Sequence, residues 1–143
     1  MNQRERLARI VRLKERLREV SGGRLANANA AEREASSHVE REERVMGEIA
    51  DGLRRGGDMS AREMSSLASL HARSRLTRDE LEAHRAELAE VRDARAIEHR
   101  ERAFEVRRLE LLEDRYAQRE ESDARRAEQT FLDERAHKVG AFG

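Results

Sequence analysis

The sequence predicts an all-α fold: a long helical hairpin forming an antiparallel two-stranded coiled coil, with a short helical tip. Three observations predict it. Proline is absent from all 143 residues, and the commonest residues (Arg, Glu, Ala and Leu) are strong helix formers. Charged residues make up 42% of the chain, aromatics 3% and hydrophobics 37%, many of the last being Ala. Such a composition cannot fill a compact core, but it can line a narrow seam between two helices. Finally, the apolar residues are spaced at helical intervals, which argues against disorder, the other outcome open to this composition.

The first helix is expected over about residues 3–55. Asn2 followed by Glu5 is a helix-start signature. Ile10, Leu13, Leu17 and Val20 then follow the 3-4-3 spacing of a coiled-coil seam, with Leu7 and Val11 widening the stripe. Gly22 and Gly23 are predicted to soften the helix rather than break it, because the stripe resumes. Its later members include Leu25, Ala28, Ala31, Ala35, Val39, Met46, Ile49 and Leu53. Counted on from Val20, these steps average nearer 3.7 than 3.5, which predicts weak supercoiling. The alanines between Ala26 and Ala35 predict close approach of the partner helix.

Arg55-Gly56-Gly57-Asp58 reads as the turn of the hairpin. Ser60 and Glu63 form a capping box, and Thr77 with Glu80 forms a second. The two boxes predict a small separate tip helix within residues 56–77, carrying Met64, Leu67 and Leu70. The second long helix is then expected over about 78–138, with Leu88, Val91, Leu109, Leu112 and Tyr116 in its seam. At 1.5 Å per residue the two long helices would measure about 80 and 90 Å, matched lengths that place both termini at one end. The matched seams predict a monomer. Gly140 and Gly143 read as a frayed end, and Phe142 as either unstructured or an anchor.

Several function classes are disfavoured. Thirty bases balance 30 acids, whereas a nucleic-acid-binding domain normally carries a basic excess. The charges interleave instead, as in the i,i+4 pairs Glu5–Arg9, Glu40–Arg44, Glu98–Arg102 and Glu121–Arg125, each worth about 0.2–0.5 kcal/mol. Cysteine is absent, so disulfides and thiolate metal sites are excluded and a reducing cytosol is the natural compartment. No run of about 18 apolar residues exists to span a membrane, and the charged start lacks the apolar segment of a secretory signal. Glu134 and His137 make one Glu-x-x-His, but a di-metal bundle needs a second such motif and two more buried Glu. Two paired helices offer no concave pocket for catalysis, and neither glycine pair has phosphate-loop spacing. The expectation is a non-enzymatic protein with no cofactor and no metal.

Residues 1–20 stand apart, with seven bases against three acids. The plain reading is a solvated helix face. The functional reading is a docking surface for an acidic partner.

Leu7-Ala8-Arg9-Ile10-Val11-Arg12-Leu13-Lys14-Glu15 resembles the N-terminal opening of FliJ-type proteins, including the YscO proteins of injectisomes. The stretch from Arg107 through Tyr116 to Asp133 is similar to the end of their second helix. Length, hairpin order and a mid-chain tip extend the resemblance over most of the chain. It implies a stalk-like component of a flagellar or virulence type III export apparatus, cytoplasmic and peripheral to the inner membrane. The paired terminal ends would enter a hexameric export ATPase, with Arg9, Arg12, Arg16 and Arg18 meeting acidic loops of the ring. Ile10, Leu13 and Leu17 would hold the two helices together there. Leu67, Leu70 and Leu76 would face an export-gate protein or export chaperones. The alternative is a generic coiled-coil scaffold or adaptor without an ATPase partner, a parallel dimer for instance.

Overall fold

A computed structural model describes residues 2–142, and the side chains of 2–140. The expectations for the Phe142 side chain and for Gly143 lie outside that range. The fold is an all-α helical hairpin of two helices, α1 (Gln3–Arg55) and α2 (Ala61–Phe142), and the described residues contain no strand.

The helix starts follow the predicted chemistry. The Glu5 N–H donates to Asn2 Oδ1 at 2.8 Å, and the Asn2 N–H donates back to Glu5 Oε2 at 3.3 Å. At α2 the Glu63 N–H donates to Ser60 Oγ at 3.2 Å. Each bond satisfies a backbone donor that has no partner inside the first helical turn. Between the helices the Gly57 N–H donates to the Arg55 carbonyl and the Met59 N–H to the Gly56 carbonyl, both at 3.0 Å. A Cβ on Gly56 would lie 2.8 Å from Met59 Cε and 3.3 Å from the Gly52 carbonyl oxygen, so this tight turn suits glycine.

Two expectations about the elements are corrected. There is no separate tip helix: α2 runs unbroken through Thr77, whose hydroxyl donates to the Arg73 carbonyl at 3.1 Å instead of starting a helix. A Thr inside a helix can turn its hydroxyl back onto the preceding turn. The lengths are also unmatched, with 53 residues in α1 and 82 in α2. Gly22 and Gly23 leave α1 unbroken, as predicted.

Contacts divide the chain into two compact units. The turn unit is Val20–His99; the terminal unit pairs Met1–Glu19 with Arg100–Gly143. In the turn unit the helices run antiparallel, with Ser21 bonded to His99, Arg24 to Glu98, Glu32 to Arg85 and Arg92, and Glu42 to Ser74. Its sheltered α1 positions include Ser21, Leu25, Ala28, Glu32, Ala35 and Val39, a strict 4-3 alternation. That is the 3.5-residue spacing of a coiled coil, not the 3.7 expected. The 3.7 average came from stepping between neighbouring stripes. Ala28 and Ala35 flank Glu32 on the same face, leaving room for the Arg85 and Arg92 guanidiniums to converge on it at 3.4 and 3.2 Å.

In the terminal unit the pairing is again antiparallel, with ion pairs Arg4–Glu120 and Lys14–Glu105. Its core is small: Leu7, Val11 and the fully enclosed Val106. From Gln118 to Gly140 every residue of α2 is exposed.

Candidate docking surface

The residues expected in the seam divide between seam and surface. Val39 is buried, and Met46, Ile49, Leu53, Leu88, Leu109 and Tyr116 are half-buried, all at coiled-coil positions. Ile10, Leu13, Val20, Val91 and Leu112 are exposed instead, with Leu13 at 57% and Ile10 at 44%. Leu17 is half-buried beside the seam. The early turns of α1 carry two stripes. The more apolar one, through Ile10 and Leu13, is outside. The inner one reads Leu7, Val11, Lys14, Arg18, and its polar members hid it from a search for apolar spacing. So Ile10 and Leu13 do not clasp the two helices as expected.

The polar seam groups find partners across the helices. Lys14 Nζ lies 2.6 Å from Glu105 Oε1, and this hydrogen bond holds the Glu105 carboxyl below its ordinary range. Ser21 Oγ and His99 Nδ1 are 2.9 Å apart. A Cβ on Gly22 would lie 3.2 Å from His99 Cε1, so the glycine gives the imidazole its place. Glu32 is only 14% exposed between its two arginines. Hydrogen bonding to Arg85 likewise lowers the Glu82 carboxyl and raises the Arg85 guanidinium. Of the expected i,i+4 pairs, Glu121–Arg125 is formed at 2.5 Å; Glu5 serves the helix cap, and Arg102 pairs with Glu105 at 3.4 Å.

The four arginines expected to dock also separate. Arg9, Arg12 and Arg16 are exposed and line one shallow hollow with Leu13, Glu15 and Glu19. None of the three has an ion-pair partner among the described residues. Arg18 is half-buried at a seam position and does not share their face. On α2, Leu112, Arg115, Tyr116 and Arg119 line a second hollow of the terminal unit.

In the turn unit, Leu67 is a half-buried seam residue next to a hollow with Met59, Arg62, Glu63 and Ser66. Leu70 and Leu76 are exposed. At 100° per residue Leu67 and Leu70 lie about 60° apart while Leu76 points about 180° from Leu67, so the three make no single stripe. Among the described residues no group of three or more His, Cys, Asp or Glu could hold a metal ion, and no helix is long and apolar enough to cross a membrane. Glu134 and His137 are both exposed.

Sequence reasoning missed the polar seam: Lys14, Ser21, Glu32, Glu42, Ser74, Arg85, Arg92 and His99. The signal that could have found it is the seven-residue repeat itself, Arg78, Arg85, Arg92 and His99 along α2. No family model matches the chain, and neither a curated protein nor a solved structure matches it.

Proposed function

We propose that this protein is a non-enzymatic, stalk-like component of a type III protein export apparatus, whose terminal unit docks in a hexameric export ATPase. The observation that carries the reading is the cluster of exposed arginines Arg9, Arg12 and Arg16 on α1, which have no ion-pair partner among the described residues. A guanidinium without an internal partner contributes little to stability and remains available for an acidic one. The helical hairpin and the resemblance of residues 7–15 and 107–133 to FliJ-type proteins support the same reading. The turn unit, with exposed Leu70 and Leu76, would face an export-gate protein or export chaperones. In this reading the protein works in the cytoplasm at the inner membrane.

The test is co-purification with a type III export ATPase from the same genome. Arg9→Glu with Arg16→Glu should retain the helical circular dichroism of the wild type and lose ATPase binding, the more so at low salt. Undiminished binding by the reversed variant would remove these arginines from the mechanism. A gene with no export ATPase beside it would favour the scaffold alternative.

A further inference from the structure

We infer that the terminal unit carries a groove for an amphipathic, acidic α-helix of a partner protein. The inference rests on the reading that this end docks, and it adds the chemistry and secondary structure of what it meets. Ile10, Leu13 and Leu17 are spaced 3-4 along α1, and two of them are exposed. The ion pairs Arg4–Glu120 and Lys14–Glu105 bring the exposed Leu112 level with Ile10 on the antiparallel partner helix. Leucine and isoleucine at 3-4 spacing form a stripe along a helix axis. Such a stripe accepts the heptad face of a third helix better than it accepts a loop.

The charges select the partner. Arg9, Arg12 and Arg16 recur at 3-4 spacing along the edge of the stripe away from α2. Arg115 and Arg119 line the hollow around Leu112 and Tyr116. None of these five arginines has an ion-pair partner among the described residues, whereas the seam arginines Arg78, Arg85 and Arg92 are all paired. Glu15 and Glu19 line the α1 hollow on the side of the helix away from the stripe, and Glu105, on the Leu112 side of α2, is taken by Lys14, which leaves the rim basic. An apolar floor between basic rims fits a helix with leucines on one face and carboxylates beside them.

Two three-heptad peptides with leucine at every a and d position test this, one flanked by Glu and the other by Lys. Dye-labelled and titrated with the full chain, the Glu peptide should bind at least about tenfold tighter than the Lys peptide, and less tightly as salt rises. Leu13→Gln should weaken it about tenfold with circular dichroism unchanged. Arg9→Glu with Arg16→Glu should weaken it as well, and Leu70→Gln should not. Equal affinity for the two peptides, or indifference to Leu13→Gln, would overturn the groove. So would self-association in sedimentation that Leu13→Gln abolishes, because the occupant would then be a second copy. A chain that takes the Glu peptide but not the ATPase upholds the groove and removes the ATPase. Leu13→Gln binding the ATPase like wild type, with the peptide indifferent to it, does the reverse.

Discussion

Val106 and Leu112 belong to the same helix and to different faces of it. Val106 is enclosed completely and Leu112 is 39% exposed, although the leucine is the larger apolar group. Val106→Ala should therefore lower the unfolding free energy by about 2 kcal/mol, from two lost methyl groups and the void they leave. Leu112→Ala should cost less than about 1 kcal/mol, because most of its transfer free energy is not gained on folding. Urea titration of both variants checks the order. The glycine pair offers a second comparison. Nothing lies within 4 Å of a Cβ on Gly23, while one on Gly22 would press His99 at 3.2 Å. Gly23→Ala should then stabilise the chain by about 0.5–1 kcal/mol through helix propensity alone. Gly22→Ala should stabilise it less, and thermal melts of the two variants read the difference.

At the scale of the helices, the ends were legible in the sequence and the facing was only half so. Asn2 and Ser60 cap α1 and α2 as their spacing to Glu5 and Glu63 implies. Thr77 with Glu80 has the same spacing and caps nothing, because Thr77 bonds back to Arg73 within a continuous helix. A capping box read from sequence needs a break before it, and the stretch from Ala61 to Thr77 has none. Beyond Leu25 the apolar pattern named the seam correctly at Val39, Met46 and Leu53. Before it, the outer stripe is more apolar than the inner one, so hydrophobic spacing chose the wrong face. The seam's ion pairs also set its response to acid. Glu105 and Glu82 titrate below their ordinary value of 4.5 because Lys14 and Arg85 hydrogen-bond to their ionised forms. The unfolded chain therefore takes up these protons first. Their contribution is complete above the unfolded value and fades as pH falls through the folded ones. Stability should decline as pH falls through and below 4.5, and Lys14→Met should flatten that decline. Denaturant midpoints across this range measure both.

Over the whole chain, the zero net charge conceals a division. By the residues in each unit, the terminal one holds seventeen bases and fourteen acids, the turn unit thirteen and sixteen. The basic start was plain in the sequence. That Arg9, Arg12 and Arg16 find no ion-pair partner among the described residues while Lys14 and Arg18 turn to the seam was not, because rotation about the helix depends on which stripe is buried. The exposed run of α2 from Gln118 to Gly140 was hidden for a related reason: helix lengths were balanced across a tip that does not exist. In the proposed function the terminal unit docks as a stalk within a ring of ATPase subunits. Native mass spectrometry of the full chain with an export ATPase from the same genome is the direct test. One copy of this chain per ATPase hexamer is expected, lost on Arg9→Glu with Arg16→Glu. Six copies per hexamer, or a complex that survives the charge reversal, would contradict it.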